Sequence, residues 1–213
     1  GAEVETEEAV QPADPGGLWK CDFHHRGGVV MQHGGAENRD ACDITPPFTP
    51  VAVRGGSNVQ VFSPDGSRLS FTYNDHVMHE WDKTQDLRNV GVAVPLHAVC
   101  PPKSHPREYA GSHHCVLVSQ HTPTPQPGSD EINRAYEEGW IGSRGYQRGA
   151  QRQRWALAFI GDTLAANGEK VAEVFVVDLP EDNADFAVPG VFPLEGTATR
   201  LPAPPKSVQQ RRV

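Results

Sequence analysis

The stretch FSPDGSRLSF, residues 62–71, decides the fold that the sequence predicts. Its SPDG core predicts a tight turn, because proline presets φ, aspartate accepts hydrogen bonds from nearby backbone and glycine adopts a positive φ without steric cost. Residues 68–73 then alternate, with Leu69, Phe71 and Tyr73 on one face and polar residues on the other. This period of two is typical of a strand that packs on one side only.

Four short segments around this turn predict one complete sheet. Each is apolar or alternating, and turns rich in Gly, Asp and Asn separate them; they are residues 59–62, 68–73, 76–81 and 87–94. Four antiparallel strands in about 40 residues have the size and plan of one propeller blade. We expect these strands to pair in chain order, with four buried side chains: Phe62, Leu69, Phe71 and Val77.

Fragments of the pattern recur elsewhere in the chain. Residues 18–22 and 174–178 resemble residues 77–82, because each is an apolar segment that ends in Asp and precedes a polar turn. Further strands are predicted at residues 29–32, 116–119, 155–160 and 210–213. The irregular spacing predicts long inserted loops, and the longest covers residues 120–154. Within it, residues 130–138 can form a short helix capped by Ser129 or Asp130.

Several segments carry a family resemblance. Residues 62–71 resemble the repeat signature of TolB-like, WD40-like β-propellers. Longer stretches are similar to an uncharacterised bacterial family labelled TolB-like or biopolymer-transport-related; they are DFHHRGGV (22–29), LRNVGVA (87–93), HPREYAGSHH (105–114), TPTPQPGSDEINRAYEEGW (122–140) and LAFIGDTL (157–164). The resemblance implies an all-β fold of four-stranded antiparallel blades. It implies no activity, because fold does not determine function.

The resemblance also predicts the domain organisation. Residues 1–17 form a polar N-terminal segment, and residues 18–213 form a partial β-propeller whose complete blade is residues 55–94. A closed ring of six or more blades needs about 250 residues at roughly 40–45 per blade. We therefore expect an incomplete portion of a propeller, whose exposed sheet edges pair with the rest of the propeller or with another chain.

The composition limits the classes of partner. The formal net charge is −8 at pH 7, and an acidic surface disfavours nucleic acid. No stretch approaches the roughly 20 apolar residues that span a bilayer, and residues 1–9 lack the apolar region of a signal peptide. We therefore expect no membrane insertion, and a cytoplasmic location is favoured over a periplasmic one. The four cysteines form no C-x-x-C pair, and buried free thiols are favoured over disulfides.

Candidate binding groups are concentrated in two predicted loops. His24 and His25 lie in the first; the second carries Arg107, Glu108, Tyr109, His113 and His114. An arginine can clamp a carboxylate, while Glu, Tyr and His can act as acid or base. We predict that the two loops converge within roughly 10 Å, about the width of a small-ligand pocket. The plainer alternative, which is favoured, is an Arg107–Glu108 ion pair with Tyr109 filling a gap between blades.

Ten histidines raise the question of a metal site. The candidate ligands His24, His105, His113 and His121 fall in or beside predicted loops, and neutral imidazole binds zinc, manganese, iron and nickel. No spacing specifies a site, however. His76 and His79 would point to opposite faces of a strand. No cofactor is therefore expected, with a divalent metal as the alternative.

Two functions remain open. The leading hypothesis is a non-enzymatic propeller scaffold that binds a protein, peptide or glycan at the mouth of its channel. The alternative is a metal-assisted lyase or hydrolase that acts on an acidic saccharide, because some propellers related through the resemblance cleave uronic-acid oligomers.

Overall fold

The computed structural model describes residues 27–32 and 35–213, and it shows an all-β protein with almost no helix. The predicted all-β class is therefore confirmed. The described strands form two four-stranded antiparallel sheets and two hairpins. The strands are β1 (Val29–Gln32), β2 (Gly35–Asn38), β3 (Gly55–Phe62), β4 (Leu69–Asp75), β5 (Asn89–Val99), β6 (Gly111–Leu117), β7 (Arg134–Trp140), β8 (Tyr146–Arg148), β9 (Gln151–Gln153), β10 (Trp155–Leu164), β11 (Lys170–Leu179) and β12 (Gln209–Arg212).

The first sheet has the order β3–β4–β5–β6. The turn at residues 63–66 joins β3 to β4 as predicted, with the Ser63 carbonyl accepting from the Gly66 N–H at 2.8 Å. Leu69 pairs with Phe62 on one side and with Ala93 of β5 on the other. Three of the four predicted strands therefore lie in one sheet in the predicted order, and Leu69 and Phe71 are buried as expected.

The third predicted strand is wrong, because His76–Trp81 forms an α-helix, α1. Asp75 ends β4 and caps this helix, accepting a hydrogen bond from the Met78 N–H at 2.9 Å. Met78 is the one buried residue of α1, so the segment has no alternating face to place against a sheet. A helix here is incompatible with the predicted blade, and β6 supplies the fourth strand instead. None of the helices in the described part of the chain could span a membrane.

Two of the predictions of buried side chains are also wrong. Phe62 is 37% exposed, since β3 is the edge strand of its sheet, and Val77 on α1 is only half-buried.

The second sheet has the order β12–β11–β10–β7. β10 and β11 pair from Trp155 opposite Leu179 to Leu164 opposite Lys170. The strands predicted at residues 155–160, 174–178 and 210–213 are thereby confirmed, whereas residues 18–22 lie outside the described part of the chain. The segment of residues 120–154, predicted as an inserted loop, contains β7, β8 and β9.

The short helix predicted over residues 130–138 is also wrong, because its second half belongs to β7. The expected caps are used elsewhere. The Ser129 hydroxyl donates to the Gln126 carbonyl at 2.7 Å. The Asp130 carboxylate accepts from the backbone N–H of Arg212 at 3.1 Å. Pairing with β10 then fixes the backbone as a strand, with Ala135 opposite Gly161.

The main hydrophobic core lies between the two sheets. Alternate residues of β5 and β6 face it from the first sheet, and β10 and β11 face it from the second; its members include Val90, Val92, Val94, Val116, Leu157, Phe159, Phe175 and Val177. The other face of the first sheet packs on residues 41–53 through Leu69, Phe71 and Tyr73. Each such side chain contributes about 1.5–3 kcal/mol when fully buried. Cys42 and Cys115 lie in this second cluster as free thiols. Cys100 is also a free thiol, and it is exposed. Cys21 lies outside the described residues.

The described strands close neither into a ring of blades nor into a barrel, since each four-stranded sheet ends in an edge strand within the part of the chain that the structure shows. The structure therefore supports antiparallel sheets but gives no support for a propeller.

Arg54 connects the first sheet to the C-terminal part of the chain. Its guanidinium is completely buried, and Nε and Nη2 donate to Asp75 Oδ2 at 3.0 and 2.8 Å. Nη1 donates to the Thr197 carbonyl at 2.6 Å and Nη2 to the Arg200 carbonyl at 3.1 Å. The Phe48 ring covers the guanidinium carbon at 4.6 Å. One side chain therefore holds both the cap of α1 and the turn at residues 197–200.

Replacing Arg54 with Met should destabilise the fold by about 3–5 kcal/mol, because Asp75 would remain buried without its charge partner. The measurement is the free energy of unfolding from urea titration. The matched control is Arg154→Met, since that side chain is 56% exposed and its ion pairs with Asp65 and Glu181 are long, at 3.6 and 3.8 Å. The control should cost below about 1 kcal/mol, and equal losses in both variants would contradict the role of Arg54.

Candidate functional site: a cationic cleft beside the C-terminal segment

An open cleft of about 870 Å³ lies beside the C-terminal segment. Its walls come from the loop after β6, the chain before β5, and residues 189–206, which precede β12. The volume is within the range of about 300–1,000 Å³ that is typical of small-molecule sites. The cleft is therefore large enough to take an organic ligand.

The wall formed by residues 189–206 is an ordered loop. Proline supplies no N–H and fixes φ, which favours extended loop backbone over a strand. Pro189 and Pro205 form an isolated antiparallel bridge, and the Lys206 N–H donates to the Val188 carbonyl at 3.0 Å. The Ala203 N–H donates to the Pro193 carbonyl at 3.2 Å. Together with the bonds from Arg54, these contacts hold the wall in place.

The charge of the cleft is opposite to that of the chain. Arg200 and Lys206 line it, and none of the described lining residues is Asp or Glu, although the whole chain carries −8. The Arg200 guanidinium lies over the Phe192 ring at 3.8 Å from its centroid. Cationic side chains without carboxylates nearby create a positive local potential, so the cleft favours an anionic group.

His121, one of the predicted metal ligands, forms part of the wall. Both of its ring nitrogens are covered, and neither has a hydrogen-bond partner of normal geometry among the described residues. Burial lowers the pKa of His121 to about 4, although the nearby backbone of Ser119 and Arg88 partly offsets the effect. The ring is therefore neutral at pH 7 and presents carbon rather than nitrogen to the cleft.

Glu108, a predicted binding residue, holds the loops around it together. Its carboxylate accepts from the backbone N–H groups of His105 and Ile44 at 2.8 and 3.3 Å. Burial raises the pKa of Glu108, but hydrogen bonds from Thr45 and from this backbone outweigh it, so the net shift is downward. The carboxylate is therefore an ionised anchor whose oxygens are already bonded to its own loop and to residues 44–45.

Tyr109 and Arg107 complete this predicted segment. The Tyr109 backbone bridges that of Cys42, with N–H to carbonyl distances of 3.0 and 3.2 Å. Burial raises the pKa of the Tyr109 phenol well above 10. Arg107 is partly exposed, and its backbone N–H donates to His105 Nδ1 at 3.2 Å. None of the three lines the cleft.

His113 and His114 are neighbours on β6 and therefore point to opposite faces of the first sheet. His113 Nδ1 lies 2.9 Å from the Ser112 hydroxyl. Its pKa is lowered to about 4 by burial, by Arg39 and by His114. His114 faces the other way, where its Nε2 lies 2.5 Å from His97 Nδ1. The structure therefore does not bring the two side chains to one point.

His24 and His25 lie outside the described residues, so the convergence of the two predicted loops remains a prediction. The same holds for the metal site proposed from His24, His105, His113 and His121. Among residues 27–32 and 35–213, no group of three or more His, Cys, Asp or Glu side chains is placed to hold a metal ion.

The cleft residues Arg200, Lys206 and Phe192 were missed by sequence reasoning. One signal was present: residues 196–213 contain four basic residues and no acidic one. Two of the four, Arg211 and Arg212, instead form ion pairs with Asp178 and Glu173. Charge counting alone therefore cannot separate the cations that line the cleft from those that form ion pairs.

The buried ring of His121 should make the protein less stable in mild acid. Its pKa is about 4 in the folded state and about 6.5 in an unfolded chain. Stability is therefore full above pH 6.5 and falls as the pH drops toward 4, by up to about 3 kcal/mol from this group. His121→Phe should reduce the loss between pH 7 and pH 4.5, as measured by urea unfolding. Identical pH profiles for the variant and the wild type would contradict the assignment.

Comparison with known proteins gives two matches. Residues 8–109 match a family described as a protein of unknown function (DUF3748). The chain is 60% identical over 202 residues to the "Uncharacterized protein YidR" of Escherichia coli (strain K12), an alignment that covers 95% of this chain and 46% of that protein. The chain thus spans about half the length of this curated relative. No solved structure matches the chain.

These matches correct the family resemblance stated from the sequence. Neither carries a TolB or WD40 description, and the described strands close no ring. The resemblance to TolB-like, WD40-like propellers is therefore wrong, and what the comparisons do show is similarity to a family of unknown function and to an uncharacterised bacterial protein.

Proposed function

We propose that this domain is a non-enzymatic binding module that holds an acidic saccharide in the cationic cleft. The observation that carries the proposal is the pairing of Arg200 and Lys206 in a cleft whose described lining contains no carboxylate. Because the whole chain carries a net charge of −8, a lining with two cations and no carboxylate is a favourable place for an anionic ligand.

The lining suits a uronic-acid group in particular. A guanidinium can form two parallel hydrogen bonds with a carboxylate, while an ammonium adds a point charge. Polar side chains in the same wall can bind sugar hydroxyls; they are Gln85, Gln120, Thr122 and Thr199. Phe192 is 44% exposed and offers an apolar face to the ring of a sugar.

The wall supplies binding groups rather than an acid and base pair. General acid–base catalysis requires a titratable group within hydrogen-bonding distance of the reacting atoms. The ring nitrogens of His121 are covered, and no described lining residue is a carboxylic acid. These features favour binding over the alternative of a metal-assisted lyase or hydrolase. A protein or peptide ligand would have to present its own carboxylate to the same two cations.

Replacing Arg200 or Lys206 with Ala should weaken binding of a uronic-acid oligosaccharide about tenfold each, which corresponds to about 1.4 kcal/mol. The measurement is isothermal titration calorimetry on the folded chain at low ionic strength, and affinity should fall as salt is added. The matched control is Lys170→Ala, because Lys170 is exposed on β11 and does not line the cleft.

Three further outcomes discriminate between the alternatives. Equal binding of a neutral oligosaccharide of the same length would contradict recognition of the carboxylate. Tighter binding of a peptide through its carboxyl terminus would replace the saccharide as ligand but retain the cleft. Cleavage of the oligosaccharide, followed by chromatography after prolonged incubation with added zinc or manganese, would favour the enzyme over the binding module.

A further inference from the structure

We propose that His97 and His114 form a binding site for a divalent transition metal at the margin of the first sheet. The two side chains belong to adjacent antiparallel strands, β5 and β6, and do not line the cationic cleft. The inference is therefore independent of the proposed saccharide function.

The strand register brings the two rings together. His114 lies opposite Val94, and the pairing of β5 with β6 is irregular between Pro95 and Val99. This irregularity moves His97 away from a regular ladder position and over the His114 ring. The ring centroids are 4.2 Å apart with an interplanar angle of 49°, and His114 Nε2 lies 2.5 Å from His97 Nδ1. The two nitrogens thus face each other within hydrogen-bonding distance.

The chemistry of the pair suits a metal. In the neutral pair one of these nitrogens carries the shared hydrogen and the other accepts it. When a metal binds both nitrogens, that proton leaves to solvent and the same ring takes up a proton on its other nitrogen, so that each ring stays neutral and donates one lone pair. Metal–nitrogen bonds of about 2.0–2.1 Å in a tetrahedral site place the nitrogens about 3.3 Å apart. The rings must therefore separate by under about 1 Å, and the exposed side chain of His97 can make that movement.

The same geometry determines how tightly the pair should bind a metal and which metals it should prefer. Within residues 27–32 and 35–213 no third His, Cys, Asp or Glu joins the pair, so water must fill the remaining positions on the exposed side. His114 Nδ1 is buried without an acceptor among the described residues, and a metal-binding imidazole normally donates this N–H. We therefore expect dissociation constants on the order of micromolar, with copper(II) bound more tightly than nickel or zinc, and no binding of magnesium.

The test is calorimetric titration of the untagged full chain, purified without a metal column and treated with chelator, against ZnCl₂ and NiCl₂. One equivalent should bind to the wild type, and His97→Ala should weaken that event at least tenfold. His97 is exposed, so this variant should keep the fold, which the unfolding free energy checks. The matched control is Lys170→Ala, an exposed side chain that is not a candidate metal ligand, which should bind as the wild type does.

Two results would overturn the site. Zinc and nickel binding that is unchanged in His97→Ala would place the metal on other histidines, and the lack of any binding at millimolar metal would remove it altogether. His114→Gln provides a second test of the site, because this variant should abolish the same metal-binding event whether or not it also lowers stability.

Discussion

The buried guanidinium of Arg54 is the constraint on which the rest of the described structure depends. A charge that is completely removed from water must be neutralised and its N–H groups must be bonded. Asp75 supplies the charge, and the carbonyls of Thr197 and Arg200, more than 140 residues away, accept the remaining bonds. The end of β4, the start of α1 and the C-terminal wall of the cleft are thus fixed relative to one another by a single side chain.

Arg68 makes a second connection of the same kind. It is buried, stands over Trp155 and Phe186, and donates to the carbonyls of Pro180 and Glu181 at 2.8 and 2.7 Å. Hydrophobic packing between the sheets is not directional, so it sets their separation but not their relative orientation. Guanidinium–carbonyl bonds are directional, so Arg54 and Arg68 orient the segment between β11 and β12 relative to the first sheet.

Local signals in the sequence predicted local structure correctly. They failed where the structure depends on contacts with residues far away in the chain. The SPDG turn needed only near neighbours and is present, and Leu69 and Phe71 are buried as predicted. The predicted packing on one side only is wrong, because Ser70 and Thr72 on the other face of β4 are buried as well. Residues 76–81 form a helix that Asp75 caps, and the Asp75 carboxylate also accepts a hydrogen bond from Arg54, 21 residues earlier. A short window of sequence shows the cap but not the bond to Arg54. The propeller resemblance failed for the same reason, since a turn motif carries no information about how sheets assemble. The cleft could not be predicted because its walls come from three separate parts of the chain, whereas the loop histidines and Glu108 stood out as local clusters.

The position of Arg200 bears on how the open cleft would bind the acidic ligand that we propose. Its backbone carbonyl is held by Arg54, so ligand binding need not order the loop and loses little conformational entropy there. Its guanidinium carbon lies 3.8 Å from the centroid of the Phe192 ring, and this contact restrains the side chain. A carboxylate binds a guanidinium through its N–H groups, in the plane of the group. Under the proposed function, the carboxylate and the aromatic ring would therefore use different parts of the same side chain, and an acidic ligand could bind without breaking the contact that positions Arg200.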